Sequence, residues 1–260
     1  MIRMTKTLAL SCFVLLAQQS YAQDAEVSHD ENKIKNGIVG RIVVTGDVPK
    51  LPPLLKKGQQ TKDQICSDKR IRDKSLLVSE EGGLANAFVY LRQIPKGLET
   101  PKAKSESSLT CKKCQFKPYA QIASVGQPFM VTNSNSIAIN FKLNAATNAV
   151  AATIASPSPR DDNVFSCIFQ HPERTPIKVT DDFHGWATAW ILPLEHPFAA
   201  VTDKDGNFTI QGLPPGSYEF VVWHEKGKNL ERKLEIKIQK DKPTQTQLSY
   251  PISQFLETVK

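Results

Sequence analysis

Ala199-Ala-Val-Thr-Asp-Lys-Asp-Gly-Asn-Phe-Thr-Ile210, followed by Leu213-Pro-Pro-Gly-Ser-Tyr-Glu-Phe-Val-Val-Trp-His224, is the stretch from which the fold is read. Asp205-Gly206 tolerates positive φ, so the first segment is expected to form a β-hairpin. Leu213-Pro-Pro-Gly216 turns the chain into a strand ending at His224. Lys233-Leu-Glu-Ile-Lys-Ile-Gln239 then alternates strictly, with Leu234, Ile236 and Ile238 on one face. This reads as one compact antiparallel unit.

Working outward, Gly37 to Gly46 is a β-branched run between glycines. Ala85 to Arg92 places Ala87, Val89 and Leu91 on one face and Phe88, Tyr90 and Arg92 on the other. Between them, 56–81 is charged and reads as a long loop held by Cys66. Short apolar runs at 120–123, 128–132, 139–143, 164–169 and 175–179 are mostly bounded by Gly, Pro, Asn or Ser, the cadence of a β-sandwich. Residues 145–159 read as a surface loop. No long amphipathic helical period occurs, so the expected fold class is all-β.

The N-terminus begins Met-Ile-Arg-Met-Thr-Lys, continues through an apolar run of about 11 residues, and reaches Ser20-Tyr21-Ala22. A spanning helix needs roughly 20 apolar residues, so 1–22 is expected to be a signal peptide, with 23–36 a disordered leader. No later segment reaches membrane length, which predicts a secreted or periplasmic protein without a transmembrane segment after cleavage. Losing Arg3 and Lys6 takes the formal charge from +7 to +5. That charge is spread without a dense basic block or nucleic-acid motif, so no nucleic-acid partner is expected.

Cys12 leaves with the signal. Cys66, Cys111, Cys114 and Cys167 remain, an even number that in an exported chain suggests two disulfides with three pairings open. Cys111-Lys-Lys-Cys114 has redox-pair spacing. The segment after it alternates like a strand, however, and does not supply the helix N-terminus that such chemistry uses.

Thr202-Asp-Lys-Asp-Gly-Asn-Phe-Thr-Ile210 with Leu213-Pro-Pro-Gly-Ser-Tyr-Glu-Phe220 resembles the carboxypeptidase regulatory-like domain. This is a transthyretin-like sandwich, related to the second domain of rhamnogalacturonan lyases. The resemblance implies that Gly40-Arg-Ile-Val and Ala87-Phe-Val-Tyr are its earlier strands, so the domain is split into 37–104 and 198–245, with 246–260 a C-terminal tail. The insert, 105–197, resembles a cupredoxin of methylamine-utilisation-type exported proteins. The likeness rests on Cys114-Gln-Phe-Lys-Pro118, Gly126-Gln-Pro-Phe-Met-Val-Thr-Asn133, Asn133-Ser-Asn-Ser-Ile-Ala-Ile-Asn140, Pro172-Glu173 and His184-Gly-Trp186.

A blue-copper centre uses two imidazoles and a thiolate in a trigonal plane with a weak axial ligand. The resemblance places the early His at Ile139, the thiolate at Asp181, the second His at His184 and the axial Met at Ala187. One of the four ligand types survives, so no cofactor is expected. Copper held by His184 and Asp181 belongs to an alternative reading, an electron-transfer protein. Trp186, Trp190 and Tyr119 are the candidate binding residues, because aromatic faces stack on sugar rings, although tryptophan in small sandwiches is commonly core. Asp203-Lys-Asp205-Gly206 resembles the start of a calcium loop, but Pro214 stands where the bidentate Glu belongs, so a tight turn is expected. The expected function is a non-enzymatic binding or structural module with a glycan or cell-envelope protein as partner.

Overall fold

The computed structural model describes residues 35–101, 107–148, 152–157 and 164–256; the expected signal peptide, 1–22, and residues 23–34 of the expected leader lie outside the described residues. The described chain is nearly all β, with two helices of four residues among the described residues.

Two sandwiches are stacked. In the first, β1 (Gly37–Thr45) lies between β13 (Asn207–Gln211) and β16 (Pro243–Pro251), antiparallel to β13 and parallel to β16. Opposite this sheet stand β12 (Ala199–Val201), β2 (Phe88–Leu91), β14 (Gly216–His224) and β15 (Lys228–Ile238), in that order. The period of two in β1 turns Ile38, Ile42 and Val44 inward, where they meet Ala87, Val89, Leu91, Phe208, Phe220 and Val222. Gly40 continues that inward row because the Phe208 ring occupies the place that a Cβ would take.

The second sandwich is inserted between β2 and β12. One sheet runs β5 (Ala120–Ser124), β11 (Thr188–Leu194), β10 (Ile177–Asp181), β7 (Ile139–Asn144) and β8 (Ala152–Ala155). The other runs β4 (Gln115–Lys117), β3 (Ser107–Lys112), β6 (Pro128–Asn133) and β9 (Val164–Ile168). Leu109, Phe116, Phe129, Val131, Phe141, Val179 and Ile191 fill the space between them.

A third apolar layer joins the two bodies. Phe88, Tyr90, Val221 and Trp223, on the reverse faces of β2 and β14, pack against Ala120, Leu192 and Leu194. This explains why all four residues of β2 are buried: the strand is covered on both faces. The Tyr90 hydroxyl adds a bond across the seam, donating to the Arg174 carbonyl at 2.8 Å.

Three sequence expectations are corrected. The Asp-Gly turn does not close a ladder, because β12 joins the β2 sheet while β13 joins the β1 sheet, so the turn carries the chain from one layer to the other. The turn itself is tight: Asp203 Oδ1 accepts the N–H groups of Asp205 (2.9 Å) and Asn207 (2.8 Å), and Gly206 has φ +82°. What pulls the strands apart is Thr202, whose buried hydroxyl donates to Leu84 O (2.6 Å) and accepts from Ala87 N–H (2.9 Å), fastening β12 beside β2. The supposed tail from 246 is the second half of β16, paired with β1 as far as Pro251 and followed by helix α2 (Ser253–Leu256). The 145–159 segment, where described, contains strand β8 paired with β7.

Burial of two histidines in the first body predicts acid sensitivity. His224 ends β14 edge-on to Phe255, and His196 stacks near Phe198 with its Nδ1 unpartnered. Burial pushes His224 down to about 3 and His196 down to about 4. The unfolded chain takes up these protons near pH 6.5 and the native chain refuses them, so stability is full above that pH and falls as pH drops toward 4. Urea denaturation at pH 4.5 is expected to give about 2–4 kcal/mol less than at pH 6.5. His224→Asn should remove about half of that slope. An equal slope in the variant would show that His224 is not a source.

Candidate functional site

The end of the second sandwich where the copper ligands would stand is built by the start of β7 and the turn between β10 and β11. That turn is held by its own backbone: His184 N–H donates to Asp181 O (3.1 Å), Ala187 N–H to His184 O (2.7 Å) and Asp181 N–H to Ala187 O (3.1 Å). It brings Ile139, Asp181, His184 and Ala187 together, each 1–2% exposed.

Asp181 Oδ1 accepts the N–H groups of Asn140 (2.8 Å) and Phe183 (3.0 Å), and its Oδ2 faces His184 Nδ1 at 2.5 Å. The other ring nitrogen, Nε2, faces Asp63 Oδ2 at 2.8 Å. Burial of the imidazole works against its charged form, but hydrogen bonds to Asp181 and Asp63, with the attraction of both carboxylates, raise His184 above its ordinary value. When protonated, the ring donates from both nitrogens and keeps no lone pair for a metal. Copper chemistry does not fit these residues: there is no thiolate, two of the four positions are aliphatic, and the histidine is already engaged at both ends. Among the described residues, no group of three or more His, Cys, Asp or Glu is arranged to hold a metal.

Asp63 was not singled out in the sequence. It comes from the long segment between β1 and β2, 121 residues before His184, and no local pattern marks it. That segment covers the sandwich end. Its helix α1 (Gln64–Ser67) carries Cys66, which is disulfide-bonded to Cys114. Leu55, Cys66, Ile71 and Cys114 form a buried cluster against Ile137 and Trp186, and the Lys62 ammonium lies over the Phe183 ring at 5.1 Å.

The four cysteines make one bridge rather than two. Lys113 and Cys114, both at positive φ, form the two-residue turn between β3 and β4, and Asn135 Oδ1 accepts the Cys114 N–H at 3.0 Å. Cys111 and Cys167 are free thiols. They lie on strands either side of β6, Cys111 opposite Asn133 and Cys167 opposite Phe129. Two strand spacings of about 4.8 Å plus that offset far exceed the roughly 7 Å Cα limit for a disulfide. Burial pushes the Cys111 thiol up to about 12.

The candidate aromatic residues do not share one platform. Trp190 and Tyr119 lie half-buried at the seam between the bodies, where Tyr119 O–H donates to Glu225 and Trp190 Nε1–H donates to the same carboxylate oxygen at 2.6 Å. Trp190 also packs against Trp223, 4.8 Å between ring centres, with Lys228 above both rings. Trp186 is half-buried, its Nε1–H donating to Cys114 O at 3.1 Å. Trp186 and Tyr119 do line one shallow depression, about 10 Å³ and so roomy enough for one water, walled on the other side by Leu54 and Lys74 from the covering segment.

No family model and no curated protein matches the chain. Among solved structures, it is similar to a purple cupredoxin from Nitrosopumilus maritimus, at 14% identity over 34% of this chain and 100% of that one, with a TM-score of 0.28. It is also similar to a mutant amicyanin in its Cu(I) form, at 15% identity over 35% of this chain and 85% of that one, with a TM-score of 0.29. A copper-containing nitrite reductase from Thermus scotoductus is similar at 12% identity over 50% of this chain and 32% of that one, with a TM-score of 0.32. The carboxypeptidase regulatory-like resemblance has no counterpart among these three. The likeness to cupredoxins is therefore partial.

Proposed function

We propose that this chain is an exported, non-enzymatic binding module in which a cupredoxin-like sandwich has exchanged its copper site for a structural clasp, with carbohydrate as its ligand. The observation that carries this reading is Asp63–His184–Asp181: an imidazole held by a carboxylate at each nitrogen where a ligand set would need a free one. The same burial favours a structural over a catalytic role, since a group 2% exposed does not reach a substrate. The Cys66–Cys114 bond and the N-terminal signal pattern support export into an oxidising compartment. Trp186 and Tyr119 lining one depression support the carbohydrate ligand over a cell-envelope protein.

Copper titration of the mature protein is the test. The expected result is no intense thiolate-to-copper absorption and no metal retained after dialysis. A stable stoichiometric copper complex would overturn the reading in favour of the electron-transfer alternative.

A further inference from the structure

We propose that the covering segment and the β3–β4 hairpin together form a docking face for an anionic phospholipid surface, on which the protein sits with the capped end of its second sandwich toward the headgroups. This role goes beyond the binding-module reading and takes from it only export, which sets the chain beside the non-cytoplasmic face of a membrane. In the sequence the positive charge reads as spread, and the fold gathers it. Residues 56–74 carry seven Lys and Arg against three acids, and 112–117 add three lysines and no acid. Together these stretches carry a net +7, whereas the chain without 1–22 carries +5, so the rest of it sums to −2.

Two long-range links hold both stretches on one face. Leu55 and Ile71 exchange backbone hydrogen bonds (3.3 and 2.9 Å), and the alternation that buries these two side chains turns Leu54, Lys56, Arg70 and Arg72 to the surface. The Cys66–Cys114 bond sets the hairpin tip, with Lys113, against helix α1 and the Lys69 that follows it. Half-burial first, and then the charge of Lys117, hold the Lys74 ammonium below its ordinary value. Asp63 is taken up by His184, and Asp182, beside Phe183, pairs with Lys142. Asp68 and Asp73 only partly offset the cations around them.

The composition of the face favours a bilayer over a soluble polyanion. Eight of its ten cations are lysines, hydrated charges on flexible stems that follow a diffuse field, whereas bidentate recognition of discrete anions uses arginine. Leu54, Ile65 and Phe183 stand among them 37–43% exposed, with the Lys62 ammonium over the Phe183 ring. A headgroup layer takes in such apolar side chains, and a hydrated polymer leaves them in water. The depression beside Arg72 and Lys74 holds about one water, too little for a polymer chain to lie in. The net-negative remainder is repelled by the same surface, so the field orients the protein as well as attracting it.

Flotation of the mature protein with vesicles tests this. Vesicles of phosphatidylcholine with about one third phosphatidylglycerol are expected to bind it at least about tenfold tighter than pure phosphatidylcholine, and about 0.5 M sodium chloride to release most of it. Lys56→Gln with Lys69→Gln and Arg70→Gln should weaken that binding at least about tenfold. The same loss of charge at the exposed Lys237, Lys240 and Lys242 of the first sandwich, each changed to Gln, should alter it less than about twofold. Leu54→Ser with Ile65→Ser should weaken vesicle binding at least about threefold and leave binding of soluble inorganic polyphosphate unchanged. Thermal melts check that every variant remains folded. Equal losses in the two triple variants would reduce the effect to net charge and overturn the face. Equal binding to both kinds of vesicle, or to neither, overturns it as well. Polyphosphate bound as tightly as the anionic vesicles, with the Leu54/Ile65 variant unchanged toward both, would make the partner a soluble polyanion and overturn the lipid assignment.

Discussion

Breaking the Cys66–Cys114 bond, by reduction or by Cys114→Ser, lowers the unfolding free energy by about 2–4 kcal/mol. The bond spans a sequence separation of 48, so its loss returns a large loop to the unfolded ensemble. The loss is amplified locally. Cys66 sits in the segment that presses Asp63 onto His184, and the buried Leu55 and Ile71 depend on that segment staying in place. Release exposes the half-buried Trp186 and the Cys114 carbonyl to which its indole donates. The expected measurement is a urea midpoint that falls with reductant, accompanied by a red shift of tryptophan emission before global unfolding. Alkylation before unfolding should modify Cys167 and spare the buried Cys111. An unchanged midpoint in the Cys114→Ser variant would mean that the covering segment is held by its apolar contacts alone.

Legibility in the sequence followed the range of the forces involved. Alternation in 85–92 separated Ala87, Val89 and Leu91 from Phe88 and Tyr90, and those two sets face different cores. The pattern could not say that the second face is also buried, because that depends on Ala120, Leu192 and Leu194 arriving from the inserted body. The Asp203–Gly206 turn was readable because Asp203 satisfies N–H groups two and four residues away. The destination of its strands was not, since Thr202 reaches Leu84 and Ala87 more than a hundred residues back. At the clasp, Asp181 and His184 were visible together at a spacing of three. Asp63 was one acid in a charged loop, and its role exists only because the covering segment folds over the sandwich end, where the Cys66–Cys114 bond and the buried Leu55 and Ile71 lie. The even cysteine count suggested a second bridge, and strand order forbids it: β6 lies between Cys111 and Cys167.

Replacing His184 by Ala should cost about 3 kcal/mol, within the range found when one member of a buried charge pair is removed. Asp181 is fully buried at its side chain and keeps only the two backbone donors on Oδ1, while its Oδ2 loses its partner. Asp63 is 29% exposed at its side chain, so water meets part of its loss and the cost falls mainly on Asp181. Asp181→Asn separates charge from shape. Its amide oxygen still accepts from Asn140 and Phe183, and its NH₂ donates to a neutral His184 Nδ1, so the expected cost is nearer about 1 kcal/mol. The pH dependence carries the diagnosis. His184 is raised above its unfolded value, so its contribution is complete below about pH 6.5 and is lost as pH rises through the folded value. The His184→Ala penalty should therefore be larger at pH 6 than at pH 9, opposite in sign to the buried neutral His196 and His224. Imidazole proton shifts followed by NMR should titrate above the ordinary histidine range in the native chain and move back toward it in Asp181→Asn. A His184→Ala penalty equal at both pH values would mean that the ring is a neutral packing element, and the Asp63–His184–Asp181 clasp would then be held by shape rather than by charge.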